Sequence, residues 1–195
     1  MKLGIYSGQY AGDVRDRSID YIAADRGIVH LQKQNIKPVI AIGDFDSLED
    51  ESLLEGIERV VFPVAKDESD TELALMYGIE HGYDSFDIYG VTGGRLDHFI
   101  ACLCLLEKYQ AYDIHLYDEK NHIRLLHPGH HLIDIDETAY FSLFALDEAV
   151  ISLSNCHYEV KDYCLIRSDP LCLSNRANGQ VVIDTDGSVL LIESH

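Results

Sequence analysis

Residues 38–47 read Pro-Val-Ile-Ala-Ile-Gly-Asp-Phe-Asp-Ser, an apolar run followed at once by acidic residues. A short β-branched run of this kind predicts a strand, and the polar residues after it mark the strand's end. If the segment from Asp44 to Asp46 is extended, both carboxylates point to one face, where they can chelate one cation. The other interpretation is an Asx turn that closes the strand, and this stretch alone favours the turn.

The same order of apolar run and acidic cluster occurs twice more along the chain. Residues 60–64 precede Lys-Asp-Glu-Ser-Asp at 66–70, and residues 87–91 precede Gly-Gly-Arg-Leu-Asp-His at 93–98. In an open α/β sheet, ligands bind at the carboxyl ends of the strands. Carboxylates crowded there repel one another unless a hard cation such as Mg²⁺ neutralises them. We therefore expect a site for magnesium-bound phosphate at this edge.

Length, composition and charge exclude several classes of protein. A chain of 195 residues with 47% apolar content can form one large or two small domains and bury a core without disulfides. Its net charge of -19 argues against a nucleic-acid or anionic-membrane partner. Five cysteines without a Cys-x-x-Cys pair predict neither a disulfide framework nor a zinc site. No apolar stretch approaches the roughly 18 residues of a membrane span, so we expect a cytoplasmic protein.

The pattern of the chain changes near residue 120. Before it, apolar runs alternate with helix-like segments, which predicts a parallel sheet flanked by helices. After it, short alternating strands separated by turns predict a small antiparallel sheet or sandwich. The polar link over residues 7–18 is too short for us to expect a full helix. His127, His130 and His131 flank a Pro-Gly pair, and we interpret them as lining a solvated turn.

Two helices are predicted around the acidic clusters. Ser69 and Glu72 form a capping-box pattern, and Gly82 suits the position after the helix end. A second helix runs from about residue 96 to 109 and is apolar nearly all round, which predicts burial between layers. The glycine pair before Arg95 would let backbone N–H groups approach a phosphate. Neither a Walker-type phosphate loop nor a dinucleotide-binding Gly-x-Gly-x-x-Gly motif occurs in the sequence.

Taken together and in order, these motifs resemble the thiamine pyrophosphokinase family. They are Ala-Ala-Asp-x-Gly at 23–27, Gly-Asp-Phe-Asp-Ser at 43–47, Lys-Asp-x-x-Asp-Thr-Glu at 66–72, Gly-Gly-Arg-Leu-Asp-His at 93–98 and Ser-Asn at 174–175. Each motif alone is weak, but the ordered set is specific. The resemblance runs from about Tyr21 to the C-terminus.

The resemblance implies an α/β fold with two domains. Residues 1–122 would form an N-terminal three-layer α/β domain with a mainly parallel sheet, which binds nucleotide and metal and carries out catalysis. Residues 123–195 would form a smaller C-terminal antiparallel β-sandwich domain, which binds thiamine and mediates dimerisation. The implied activity is Mg²⁺-dependent transfer of pyrophosphate from ATP to the hydroxyl of thiamine, in a homodimer whose active site lies near the interface. ATP and thiamine are the implied partners.

The resemblance also implies roles for individual residues. Magnesium would be held by Asp44, Asp46, Asp70 and Asp97. The catalytic residues would be Asp46, Asp70, Arg95 and Asp97, with either Asp46 or Asp70 accepting the hydroxyl proton. ATP would be bound by Asp25, Gly27, Lys66, Asp67, Thr71, Gly93, Gly94, Arg95 and His98. Thiamine would be bound by Tyr158, Ser174 and Asn175.

Two residues differ from the family pattern. Arg26 stands where the family has the first glycine of Asp-Gly-Gly, and its charge could favour a phosphate. Arg176 follows Ser-Asn where an acidic or polar residue is common. Two other functions stay open: a Mg²⁺-dependent phosphohydrolase, in which the same carboxylates activate water, and a non-catalytic nucleotide or thiamine sensor.

Overall fold

The computed structural model describes residues 1–46, 48–61 and 68–195. The chain divides into two compact units, Met1–Glu119 and Lys120–His195. The predicted boundary lies between residues 122 and 123, whereas the second unit also takes in residues 120–122, because its first strand begins at Asn121. In the described part of the chain, no helix combines the length and apolar character needed to span a membrane.

The first unit is built on parallel strands with helices on both faces. Its strands are β1 (Lys2–Tyr6), β2 (Asp20–Ala24), β3 (Ile40–Gly43), β4 (Glu58–Val61), β5 (Ser85–Tyr89) and β6 (Asp113–Tyr117). Its helices are α1 (Gly27–Lys33), α2 (Asp70–Glu80) and α3 (Leu96–Lys108), with a 3-10 helix at Glu51–Leu54. The strand order is β4-β3-β2-β1-β5-β6, and every neighbouring pair is parallel. The predicted α/β domain with a mainly parallel sheet is confirmed.

Alternation along the strands sends side chains to two buried faces. Tyr6 and Tyr21 pack with Ile28 and Leu31 of α1 in one core cluster. Leu3 belongs to the opposite face, since successive side chains of a strand alternate. A Cβ added at Gly78 of α2 would lie 2.6 Å from Leu3, so α2 packs on that opposite face. The unit therefore has three layers, with the sheet in the middle.

The segment between β1 and β2 contains bends but no helix, as predicted. Helix α2 begins as predicted, because the Ser69 hydroxyl accepts a hydrogen bond from the Glu72 amide at 3.2 Å. Only half of the capping box forms, since the Glu72 carboxylate instead accepts hydrogen bonds from Lys108 and Tyr109 at 2.6 and 2.8 Å. Gly82 follows the helix end with φ 85°, a left-handed conformation that glycine adopts without strain.

The prediction that α3 is buried between layers is wrong. Cys102, Leu105 and Leu106 are buried, but Leu96 is 77% exposed and Ile100 is 55% exposed. Residues three to four apart share one stripe of a helix, so a single stripe is enough to attach α3 to its unit. Helix α3 is therefore buried on one side only, although apolar residues occur on all of its sides.

The second unit contains seven antiparallel strands. They are β7 (Asn121–Leu126), β8 (Gly129–Ile133), β9 (Tyr140–Ala145), β10 (Glu148–Cys156), β11 (Val160–Ile166), β12 (Ala177–Thr185) and β13 (Val189–Ser194). Strands β7-β13-β9 form one layer and β11-β10-β12-β8 another. One core cluster combines Leu143 and Leu191 of the first layer with Leu153 and Ile183 of the second. The predicted antiparallel sandwich is confirmed.

The interpretation of the histidines near Pro128 as turn residues is wrong for two of them. His130 and His131 lie in β8, where they pair with Asp184 and Ile183 of β12. The His130 ring also forms a hydrogen bond of 2.7 Å with the Asp184 carboxylate. The Pro-Gly pair therefore ends one strand and begins the next, and the alternation after Gly129 was the signal for β8.

Candidate active site

A cavity of about 490 Å³ lies in the first unit at the carboxyl ends of its parallel strands. Strand β1 has β2 on one side and β5 on the other. Strands β2 to β4 are therefore added on one side of β1 and strands β5 and β6 on the other, so the strand order reverses between β1 and β5. Such a switch point leaves a crevice outside the strand ends, where open α/β proteins bind ligands. The lining residues are Ser7, Gly8, Gln9, Ala24, Asp25, Arg26, Asp44, Glu68, Ser69, Asp70, Thr71, Gly90, Val91, Gly94, Arg95, Asp97, His98, Ala101 and Cys102.

The cavity brings together many, but not all, of the predicted site residues. Those that line it are Asp25, Asp44, Asp70, Thr71, Gly94, Arg95, Asp97 and His98. Asp46, Gly27 and Gly93 belong to the same unit but are not among the lining residues. Lys66 and Asp67 lie outside the described residues.

The main chain forms the part of the cavity wall at the switch point. The Ser7 amide donates to the Tyr89 carbonyl at 2.8 Å, and the Gln9 amide donates to the Gly90 carbonyl at 3.1 Å. Gly90 has φ 76°, and a Cβ there would lie only 2.4 Å from the Gln9 carbonyl oxygen. Glycine is therefore required where the chain leaves β5, because no side chain fits between the two segments.

Residues 44–46 do not form the extended segment on which the predicted carboxylate pair depends. Phe45 is buried with φ 58°, and the Asp46 amide donates to the Asp44 carboxylate at 3.2 Å. This is the Asx-turn geometry that the sequence left open. Asp44 lines the cavity although it takes part in this turn, whereas the exposed Asp46 does not line it.

Asp25 reaches the cavity through close backbone packing. It has φ 50°, and its amide donates to the Ile42 carbonyl at 2.8 Å. A Cβ on Gly43 would lie 3.1 Å from the Asp25 Cα, so glycine allows the two strand ends to approach. A Cβ on Gly27 would lie 1.7 Å from the Tyr6 carbonyl oxygen, so Gly27 is needed for α1 to pack against β1. That packing explains Gly27 without a ligand.

Thr71 ties helix α2 to strand β1. Its hydroxyl lies 2.7 Å from the Ser7 hydroxyl, and both side chains are buried. The Cys102 thiol borders the same region, and burial raises its pKa to about 11. Cys102 is therefore a neutral thiol at pH 7 and adds no negative charge to a cavity that already contains several carboxylates.

Arg95 and Asp97 form an exposed bidentate ion pair at the start of α3. The Arg95 Nε donates at 3.1 Å and an Nη at 2.6 Å to the two carboxylate oxygens of Asp97. The guanidinium holds the pKa of the Asp97 carboxyl below its usual range, so Asp97 is ionised at neutral pH. The sequence assigned Arg95 to phosphate and Asp97 to metal, and both groups lie at the cavity while they pair with each other.

The oxygen donors of the cavity suit Mg²⁺ bound together with a phosphate. Three of its carboxylates were predicted to bind magnesium, those of Asp44, Asp70 and Asp97. Among the residues that the structure describes, no three metal-ligating side chains are grouped as a ready-made metal cage. Magnesium does not need such a cage, because it commonly keeps several waters and binds one or two carboxylates plus substrate phosphates. The residues therefore fit a metal that arrives with a nucleotide.

The predicted thiamine residues belong to the second unit, where they form one hydrogen-bonded segment. Asn175 is 1% exposed. Its Oδ1 accepts from the amides of Tyr158 and Arg176 at 3.0 and 2.9 Å. Its Nδ2 donates to the Tyr158 carbonyl at 2.9 Å and to the Cys156 sulfur at 3.4 Å. All four bonding positions of the Asn175 amide are used within the chain, so its side chain holds the loop that carries Tyr158.

The neighbours of Asn175 are more accessible. Tyr158 is 68% exposed, and Ser174 is exposed with φ 58°. The Arg176 guanidinium lies 4.4 Å over the Tyr140 ring and donates to the Tyr140 hydroxyl at 2.6 Å. Tyr140 thus fixes the position of the guanidinium of Arg176, the residue that differs from the family pattern.

Several cavity residues were not predicted from the sequence. Ser7, Gly8 and Gln9 follow β1 directly, just as the acidic clusters follow later strands. The rule that polar residues after a strand lie at the ligand-binding edge would have found them. Glu68 belongs to the acidic cluster at 66–70, but no role was assigned to it from the sequence.

Comparisons with known proteins agree on one family. The family description "Thiamin pyrophosphokinase, catalytic domain" matches residues 13–117, and "Thiamin pyrophosphokinase, vitamin B1 binding domain" matches residues 130–190. The thiamine pyrophosphokinase of Bacillus subtilis (strain 168) is 34% identical over 165 residues, which cover 80% of this chain and 77% of that protein.

Solved structures extend the likeness over the full length. The crystal structure of thiamine pyrophosphokinase from Bacillus subtilis covers 100% of this chain and 99% of its own, with a TM-score of 0.90 and 30% identity. That of a thiamin pyrophosphokinase family protein from Enterococcus faecalis covers 100% and 99%, with a TM-score of 0.91 and 26% identity. The two family matches, the curated relative and these structures show that this chain belongs to the thiamin pyrophosphokinase family of enzymes.

Proposed function

We propose that the protein transfers pyrophosphate from ATP to the hydroxyl of thiamine in a Mg²⁺-dependent reaction, giving thiamine diphosphate and AMP. The observation that carries the proposal is the cavity in which Asp44, Asp70, Arg95 and Asp97 converge at the switch point of the sheet. Carboxylates together with a guanidinium suit a magnesium-bound polyphosphate, because each sign of charge has a partner on the ligand.

Pyrophosphoryl transfer makes limited demands on the protein. The thiamine hydroxyl oxygen forms a bond to the β-phosphorus of ATP, the bond from that phosphorus to the oxygen of the α-phosphate breaks, and AMP leaves. The enzyme must hold the reacting atoms in line and stabilise negative charge that develops on the phosphate oxygens. Mg²⁺ held by Asp44, Asp70 and Asp97, with Asp46 as a fourth predicted ligand, would neutralise part of that charge.

Arg95 is proposed to bind the polyphosphate. In the structure its fork of donors is engaged by Asp97 at 2.6 and 3.1 Å, and a phosphate presents the same bidentate acceptor geometry. When nucleotide enters, Arg95 exchanges the carboxylate for a phosphate, which frees Asp97 to interact with the metal. Before nucleotide binds, Arg95 and Asp97 neutralise each other's charge.

Asp70 is the better candidate for accepting the hydroxyl proton. Both Asp46 and Asp70 were possible from the sequence, but only Asp70 lines the cavity. A general base must lie within hydrogen-bonding reach of the proton that it takes. Thr71, next to it, is proposed to fix the start of α2 through its bond to Ser7 and so hold Asp70 at the strand ends.

Thiamine is proposed to bind the segment around Tyr158, Ser174 and Asn175. The exposed Tyr158 ring can stack on a flat heterocycle, while the buried Asn175 amide keeps the Tyr158 backbone in place. A homodimer with its active site near the interface, and a cytoplasmic location, also remain proposals.

The test is to measure AMP release from Mg-ATP by the purified protein, with and without thiamine, and to identify the product by mass. Thiamine-dependent AMP together with thiamine diphosphate is the expected result. Release of inorganic phosphate without thiamine would favour the phosphohydrolase instead. If thiamine or ATP raises the melting temperature but no AMP forms, the protein is a sensor and the proposed transfer is wrong.

A further inference from the structure

We propose that Arg26 binds the polyphosphate of the nucleotide as a second cation, opposite Arg95. This proposal rests on the proposed nucleotide-dependent function and names a residue that serves it in this particular chain. Arg26 is the second residue after β2 and lines the cavity. Its side chain is exposed, so it is available to a ligand.

The charge balance of the described cavity lining favours a second cation. Its lining contains five carboxylates and two guanidinium groups: Asp25, Asp44, Glu68, Asp70 and Asp97 against Arg26 and Arg95. The polyphosphate of ATP adds further negative charge, only part of which one magnesium ion neutralises. Within the described lining, the remaining attraction must come from these two arginines.

The two arginines are in different electrostatic situations. Arg95 is engaged by both oxygens of Asp97, and this pairing raises the pKa of the Arg95 guanidinium. Among the residues that the structure describes, Arg26 has no hydrogen bond or ion pair to its side chain. Its guanidinium can therefore bind a phosphate without first leaving a carboxylate.

Nearby basic groups do not substitute for Arg26. His30 lies in α1, the helix that follows Arg26, but burial lowers the pKa of its ring, and Lys33 and Arg26 lower it further. His30 is therefore neutral at pH 7. Lys33 is exposed on α1 but is not among the cavity residues.

The topology places the two arginines on opposite sides of β1. Arg26 follows β2, which pairs with one edge of β1, and Arg95 follows β5, which pairs with the other. A linear polyphosphate lying across the end of β1 would therefore meet a guanidinium from each side. This arrangement favours a nucleotide with several phosphates over one with a single phosphate, since only a longer chain can contact both.

The test is direct binding of Mg-ATP, measured by calorimetry without thiamine, to the wild-type protein and to Arg26→Gln. Loss of one partly exposed charge-assisted contact should weaken binding by about tenfold. Lys33→Gln removes the same charge from the neighbouring helix, outside the cavity, and should change the affinity by less than about twofold. Arg26→Lys should recover part of the affinity, because it restores the charge without the planar fork.

Equal affinities of Arg26→Gln and the wild type would overturn the proposal, and so would a wild-type protein that binds no Mg-ATP. Equal losses in Arg26→Gln and Lys33→Gln would also overturn it, because net charge alone would then explain the effect. A protein whose Mg-ATP binding depends on Arg26 but which forms no thiamine diphosphate would contradict the proposed transfer and leave the Arg26 contact intact. Unchanged far-ultraviolet circular dichroism would establish that each variant is folded.

Discussion

The cavity of the first unit and the Ser174–Asn175 segment of the second unit are built in opposite ways. At the cavity, Arg95 and Asp97 are exposed and form an ion pair with each other. In the second unit, Asn175 is buried and all four hydrogen-bonding positions of its amide are filled. One region presents charges that can exchange partners, while the other fixes the shape of a loop. Substitutions should therefore affect chemistry in the first region and stability in the second.

The largest effect is expected from Asp70→Asn. This change keeps the size of the side chain but removes the carboxylate proposed to bind metal and accept a proton, so the transfer rate should fall by about 10³-fold. The measurement is the rate of thiamine-dependent AMP formation, with thermal unfolding as a check on the fold. Glu80→Gln, an exposed change on the same helix, is the matched control and should keep the wild-type rate.

Asp46→Asn distinguishes the sequence-based assignment from the cavity. The sequence predicts that this change abolishes transfer and leaves the fold intact, because Asp46 would be a metal ligand. Its position outside the lining residues predicts a smaller loss than that of Asp70→Asn. Wild-type turnover in Asp46→Asn would remove Asp46 from the metal site, whereas a loss as large as that of Asp70→Asn would restore it.

A large loss of stability is expected from Gly27→Ala, which separates scaffold from site within the first unit. The new Cβ would lie 1.7 Å from the Tyr6 carbonyl oxygen, so α1 must move away from β1. The free energy of unfolding should fall by about 3 kcal/mol, as expected for overpacking against rigid backbone. Gly8→Ala is the control for the denaturation experiment, since its Cβ would meet only an Asp25 carboxylate oxygen at 4.0 Å. Equal stability of the two variants would contradict the packing role.

A smaller loss of stability is expected from Asn175→Ala. This change leaves the part-buried amide and carbonyl of Tyr158 without their Asn175 partner, which should lower the free energy of unfolding by about 2 kcal/mol. The KM for thiamine should rise as well, because the loop that carries Tyr158 loses its support. Asn178→Ala, three residues along and exposed, should change neither quantity. A variant with raised KM but wild-type stability would show that Asn175 contacts thiamine directly.

The smallest effect on stability is expected from Arg95→Gln. Its ion pair with Asp97 is exposed on both sides, and such pairs contribute little to folding. The unfolding midpoint should match that of Arg59→Gln, an exposed arginine outside the cavity, while the rate of transfer falls only in Arg95→Gln. A clear drop in the midpoint of Arg95→Gln alone would mean that the pair is structural, contrary to the comparison between the two regions.

Local sequence patterns were sufficient to predict the ends of helix α2 and the edge of the sheet at which the cavity lies. The strand-then-acid pattern located Asp44, Asp70 and Asp97 because the carboxyl ends of parallel strands meet at one edge. The cap at Ser69 and the stop at Gly82 were equally local, since each depends on a few neighbouring residues.

Features that depend on the conformation of one residue or on distant packing were not predicted. The positive φ of Phe45 turns the chain between two carboxylates, and an aromatic residue gives no signal for that conformation. The exposure of Leu96 and Ile100 depends on which side of α3 meets its unit, which the sequence of the helix alone does not contain. The burial of Asn175 likewise depends on a loop seventeen residues away in the chain.

The backbone wall at the switch point has a consequence for how such an enzyme can diversify. Ser7 and Gln9 contact the segment around Gly90 through backbone hydrogen bonds. A substitution changes a side chain and therefore cannot directly replace these contacts. New ligand preferences are therefore expected to arise at the rim, at positions such as 26 and 98, whose side chains can vary while the peptide frame persists. An engineer choosing positions for a library would randomise that rim and leave the peptide frame untouched.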